Sequence, residues 1–190
     1  MPIGQAKFGL LGGVADLGKL ELIETQTHST DVSSVIFDDI QESTYNVHFL
    51  TMNDIGMSAD TTRTYKVQFY ESGTLETASV YQSAFQRMRV DGTFTEYRTT
   101  ANNSIFMSVG GGSATNEKAG GYMYFYNLGD SAKYSFTTFQ VFETQSDGVQ
   151  QFNFGSGVLP QTSTVDGLKI FPASGNYTDF EISLYGIAES

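Results

Sequence analysis

From Leu20 onward, apolar and polar residues alternate with a period of two, in short runs separated by Gly, Asp, Asn and Ser. That is the pattern of half-buried β-strands joined by tight turns. It predicts strands over residues 20–27 and 32–37, the second ended by Asp38-Asp39. Tyr45, Val47 and Phe49 alternate with Asn46 and His48, and Tyr65, Val67 and Phe69 with Lys66 and Gln68, which predicts two more. Residues 80–90 form a longer candidate, closed by Asp91-Gly92 and followed by residues 93–98, a strong hairpin signal. Residues 105–109, 122–127, 133–143, 149–154, 167–171 and 180–187 complete the set. In 122–127 (Tyr-Met-Tyr-Phe-Tyr-Asn) both parities are apolar, as in a central or interface strand. In 133–143 the apolar parity shifts between Phe136 and Phe139, which predicts a β-bulge. Gly155-Ser156-Gly157 reads as a flexible turn. No segment carries a convincing amphipathic helix pattern. The fold class that follows is all-β: an antiparallel β-sandwich of the jelly-roll kind, its inner space filled by Tyr and Phe rings, which are 14% of the chain with no Trp.

The first nineteen residues break the pattern. Phe8, Leu10, Leu11, Val14 and Leu17 are apolar, but glycines stand at 4, 9, 12, 13 and 18, and each interior Gly costs a helix about 1 kcal/mol relative to Ala. The expected organisation is therefore an N-terminal extended arm, residues 1–19, ahead of a jelly-roll domain, residues 20–190. An apolar arm of this kind orders against another surface.

Composition narrows the function. The chain has 190 residues, enough to bury a core without staples. It has no Cys, which removes disulfides, thiolate metal sites and Cys nucleophiles. Ten basic residues against 21 acidic ones give a net charge of −11, which disfavours nucleic acid as a partner. No apolar run reaches the roughly 20 residues of a membrane-spanning helix. No G-x-S-x-G elbow is present, and Gly110-Gly111-Gly112 lacks the Lys-Ser/Thr of a phosphate loop. His28 and His48 read as ordinary surface or edge histidines. Asp38, Asp39 and Glu42, and Asp54 and Asp60, lack the spacing of a preformed calcium loop. No carboxylate pair stands out for glycoside hydrolysis among Glu21, Glu24, Glu71, Glu76, Glu96, Glu143 and Glu181. No cofactor, metal or catalytic residue is expected. Residues 53–63 and 110–121 are the longest loops, where binding usually sits. Tyr70, Tyr81, Tyr97 and Tyr126 are candidates for the face opposite the core, where rings stack on sugars or fill subunit interfaces.

Two segments carry a resemblance: residues 1–25, MPIGxxKFGLLGGVxDLGKLELIET, and residues 171–187, FxxxGNYxxFEISLYGI. Together they resemble structural proteins of tailed bacteriophages, especially those of aquatic and cyanobacterial hosts. The resemblance implies a non-enzymatic virion component, often trimeric. The expectation is a capsid decoration (cement) protein on the outer capsid surface, bound to the major capsid protein and to itself as a homotrimer. Phe8, Leu10, Leu11 and Val14 would be the capsid-docking residues. The alternative is a tail-fibre or head-fibre module that recognises a host-surface glycan.

Overall fold

The computed structural model describes residues 19–188. Thirteen strands follow in chain order: β1 (Leu20–His28), β2 (Val35–Phe37), β3 (Val47–Ile55), β4 (Lys66–Glu71), β5 (Thr74–Leu75), β6 (Tyr81–Arg89), β7 (Phe94–Asn102), β8 (Ile105–Phe106), β9 (Ala119–Tyr126), β10 (Ser135–Thr144), β11 (Gln150–Leu159), β12 (Val165–Phe171) and β13 (Phe180–Ile187). There is no helix among the described residues. An eight-stranded sheet runs β1-β13-β3-β9-β10-β11-β6-β7, and a smaller sheet runs β2-β12-β4-β5, with β8 also on β4. Every pairing is antiparallel.

Within this order lies a jelly roll. Strands β1-β13-β3-β9 make one sheet and β2-β12-β4-β8 the other. In chain order the first strand of the eight pairs the last, the last the third, and the third the sixth, while the second, seventh, fourth and fifth line the opposite sheet. Two insertions widen the larger sheet: β6 and β7 come between β4 and β8, after the short β5 that pairs with β4 in the smaller sheet, and the β10–β11 hairpin comes between β9 and β12.

The core lies between the sheets. Val67 and Phe69 of β4, Phe37 of β2 and Leu168 and Ile170 of β12 point inward against Leu50 and Met52 of β3, Met123 and Phe125 of β9 and Ile182 and Leu184 of β13, and all are fully buried. Each such side chain withdrawn from water contributes roughly 1.5–3 kcal/mol. Rings meet edge to face at the centre, Phe69 on Phe125 at 6.1 Å and on Tyr81 at 5.9 Å. The Tyr81 hydroxyl donates to the Glu76 carbonyl (3.1 Å) and accepts from the Phe69 amide (2.9 Å), which ties the inserted strands to β4.

The jelly roll, the hairpin at Asp91-Gly92 and the strand over residues 180–187 match the sequence expectation. Gly92 takes φ +90°, which a residue with a Cβ adopts only under strain, and its amide donates to the Arg89 carbonyl. Four details differ. The expected apolar set of β3 faces out: His48, Leu50 and Met52 are buried, whereas Val47 and Phe49 are only half-buried. Residues 53–55 belong to that strand rather than to a loop. No bulge interrupts β10, whose pairing with β9 and β11 is continuous; Phe136 and Phe142 face out, Phe139 and Val141 in. Gly155-Ser156-Gly157 is strand, not turn, because those glycines lie where a Cβ would run into the β6 backbone or Ile105.

Candidate functional site

The outward positions of the large sheet form the most unusual surface of the molecule. On β9 they are Tyr122, Tyr124 and Tyr126, paired across to Thr51, Phe49 and Val47 of β3. On β10 they are Phe136, Thr138, Gln140 and Phe142. On β11 they are Phe152, Phe154, Ser156 and Val158, and on β6 Gln82, Ala84, Gln86 and Met88. None of these is charged, on a chain of net charge −11. Phe136, Phe142, Phe152 and Phe154 leave between 41% and 48% of their surface exposed, although phenylalanine ordinarily seeks the core.

Toward the β1 edge the rings touch one another. Phe49 lies 4.7 Å from Tyr124, 6.0 Å from Tyr122 and 6.2 Å from Tyr185 of β13, and Tyr124 stacks on Tyr126 at 6.4 Å. Leu22, paired with Tyr185, extends the patch to the edge strand and is itself exposed. Two hydroxyls tie the rings to β10: that of Tyr122 donates to Gln140 Oε1 at 2.7 Å, and that of Tyr126 shares a hydrogen bond with Thr138 Oγ1 at 3.3 Å. Between Tyr122, Phe142 and Phe152 lies a dimple of about 180 Å³.

Toward the β7 edge the same face changes character. Ala84 and Ser156 lie opposite one another and form a low floor. Two depressions of about 290 and 300 Å³ run along it, sharing Ala84 and Arg98. Phe136 stands beside the first, Phe154 beside the second. The side chains of Gln82, Gln86, Glu96 and Arg98 line this trough and make no hydrogen bond to another described residue.

The outer face of the smaller sheet also carries rings, but they are covered. Lys66 Nζ lies 4.7 Å from the centre of the Phe171 ring and 5.4 Å from that of Phe106, and Lys169 Nζ lies 4.9 Å from Phe171. Arg63 covers Phe106 at 5.3 Å and reaches Tyr97 of β7, on the larger sheet, at 5.4 Å. Burial holds the Arg63 and Lys66 side chains below their ordinary pKa values.

One buried carboxylate stands apart. Glu143 of β10 is fully buried. Its Oε1 accepts from Gln151 Nε2 at 2.6 Å, from the Val109 amide at 3.2 Å and from Asn153 Nδ2 at 3.4 Å. Burial pushes its pKa up to about 7, and those donors together with Thr64 and Ser108 only partly offset the shift. The cluster clamps the inserted hairpin to residues 108–111. It opens onto none of the surface depressions described above.

Of the tyrosines singled out in the sequence, only Tyr126 lies on the bare face. Tyr81 is core, Tyr70 faces out from the smaller sheet, and Tyr97 stacks on Phe85 at 5.0 Å. The signal for the rest of the face was the double-parity apolar run at residues 122–127. His48 is not a surface residue: it is fully buried, its Nε2–H donates to the Ile40 carbonyl at 2.8 Å, and burial lowers its pKa. His28 is exposed and bonded to Thr30. Of the seven glutamates, Glu71 and Glu76 come together across the β4–β5 hairpin. Burial raises the pKa of Glu71, and the Ala78 amide lowers that of Glu76. Among the described residues no group of His, Cys, Asp or Glu has the geometry of a metal site. The expected docking residues Phe8, Leu10, Leu11 and Val14 lie outside the described residues.

No protein-family model and no curated protein matches the chain. Among solved structures, the exo-inulinase from Aspergillus awamori is similar over 93% of this chain and 31% of its own, with a TM-score of 0.47 and 10% identity. The chain thus spans about a third of that enzyme's length.

Proposed function

We propose that the protein is a structural component of a bacteriophage virion: a decoration protein on the outer capsid surface, held to the major capsid protein by the β1-side half of its bare sheet face together with the N-terminal arm. The observation that carries this reading is the uncharged cluster of touching rings, Tyr185, Phe49, Tyr124 and Tyr122. Monomers rarely leave a contiguous apolar patch of this kind open to water; its usual fate is burial against another protein. The absence of charge matters as much as the rings. A patch with no carboxylate among its rings is where an acidic protein approaches a partner at least electrostatic cost. The resemblance of both chain ends to phage virion proteins supports the setting. The arm joins the sandwich at Leu20, beside the ring cluster, so both elements can engage one partner surface.

The mechanism is mechanical. Each ring buried across a junction between capsid subunits removes apolar area from water at roughly 25 cal/mol per Å². Rupture of the shell then has to break those contacts as well. Enzymatic activity forms no part of this reading.

The test is occupancy on purified shells lacking the protein. Phe49→Ser with Tyr124→Ser should abolish decoration while the isolated sandwich keeps its melting temperature within a few degrees. Deletion of residues 1–16 should leave a folded domain that decorates poorly. Native mass measurement of the bound form reports whether it attaches as a homotrimer. Full decoration by both variants would sink the proposal.

A further inference from the structure

We propose that the trough at the β6–β7 edge of the same face is a binding site for a neutral oligosaccharide. Its shape and its side chains point to that chemistry together. The floor, Ala84 and Ser156, is flat and small. Phe136 and Phe154 border its two depressions. They sit four residues apart in register, since Phe136 pairs with Val158, which separates them by roughly 14 Å at the rise and spacing of a sheet. That is long enough for more than one sugar ring. A pyranose has an apolar C–H face, which packs on an aromatic ring, and a rim of hydroxyls, which need donors and acceptors in its plane. Here the rim partners are in place: Arg98 and Glu96 on β7, and Gln82 and Gln86 on β6, with no hydrogen bond to another described residue. A site meant for an apolar partner would not line its walls with four such groups, because their desolvation without partners costs free energy.

The charge decides which saccharide. Arg98 stands beside Glu96 in the trough, and the chain carries a net charge of −11, so a polyanionic sugar or a nucleic acid is repelled as it approaches. A neutral chain is not. The floor, Ser156 on β11 and Ala84 on β6, lies two and three strand steps from Tyr124 on β9, roughly 10–15 Å. Tyr185 and Phe49 of the ring cluster lie one or two strands farther still. A saccharide held there leaves the β1-side patch free.

The experiment uses the full chain without any capsid. Short linear oligomers of glucose, mannose and galactose are titrated in, and binding is followed by calorimetry and by amide chemical shifts. The expected result is saturable binding of at least one neutral oligomer, with shifts centred on Ala84, Ser156 and Arg98. Phe154→Ala and Arg98→Ala should each weaken it about tenfold. Ala84→Leu, which fills the floor without removing a ring, should abolish it. Tyr124→Ala, on the other half of the face, should leave it unchanged. The proposal is overturned if no neutral oligomer binds saturably, if an acidic oligomer binds better, or if Tyr124→Ala weakens binding as much as Phe154→Ala does.

Discussion

The two outer faces of this sandwich use the same residues to opposite ends. Both display aromatic rings. On the smaller sheet, Phe106 and Phe171 lie beneath Lys66, Lys169 and Arg63. Cations placed over ring faces satisfy the rings in water and present charge to solvent, so that face repels apolar partners. On the larger sheet the corresponding neighbours are Thr51, Thr138, Gln140 and Ser156, and among the described residues no cation lies over an outward-facing ring; Arg63 and Arg87 lie only over Tyr97, which stacks inward on Phe85. The rings on that side are left with only one another. An aromatic outer face is thus not by itself an interface; what distinguishes the two is whether the positions next to the rings carry charge.

The strongest test of how this fold handles charge lies inside it. Glu143 has an ordinary pKa of 4.5 when unfolded and about 7 when buried. Between those values the native state holds a proton that the unfolded chain has lost. Stability from this group is therefore fully present below about pH 4.5 and is lost as pH rises through 7. The total is on the order of 3 kcal/mol. Glu143→Gln should remove that decline, so in urea denaturation the variant gains on wild type from about pH 4.5 to about pH 7 and the difference levels off above that. Parallel curves for the two proteins would mean that the polar cluster fully compensates the charge.

Installing caps on the bare face is the next largest perturbation. Thr51→Lys with Thr138→Lys puts ammonium groups beside Phe49 and Tyr124. Attachment to shells should fall about tenfold with the melting temperature nearly unchanged. Undiminished attachment would show that absence of charge is not what makes this face adhesive. The converse change removes caps from the other face. Lys66→Ala and Lys169→Ala should each cost about 0.5–1 kcal/mol. Both should raise binding of an apolar dye, and shell attachment should not change. The smallest effect expected is Tyr122→Phe, which deletes one exposed hydrogen bond to Gln140. It should shift stability by less than about 0.5 kcal/mol and leave attachment intact, since the ring remains.

Much of the architecture was legible because alternation reports strands directly. The runs at residues 65–69, 80–90 and 180–187 show it plainly, and Asp91-Gly92 announces its hairpin. Alternation does not say which parity faces in when both are apolar. In β3, Phe49 and Leu50 are equally good core residues by composition; Leu50 is buried because its partners across the sheet, Met123 and Leu184, also face inward. The same ambiguity made continuous β10 resemble a bulged strand. His48 looked exposed because its neighbours are polar and aromatic. It is buried because the chain returns over it and offers the Ile40 carbonyl.

By itself the sequence determined an all-β sandwich without disulfides, an acidic chain, and an N-terminal segment unlike the rest. Those follow from local period, composition and glycine content, which need no knowledge of neighbours. Only the tertiary structure decided that Tyr122, Tyr124, Phe49 and Tyr185 share one surface, that Gln86, Glu96 and Arg98 line one trough, and that Lys66 and Lys169 cover rings on the other side. These residues are scattered over residues 49–185. What brings them together is the strand order, with β13 beside β3 and β11 beside β6, and that order is set by long-range burial between sheets rather than by any local pattern.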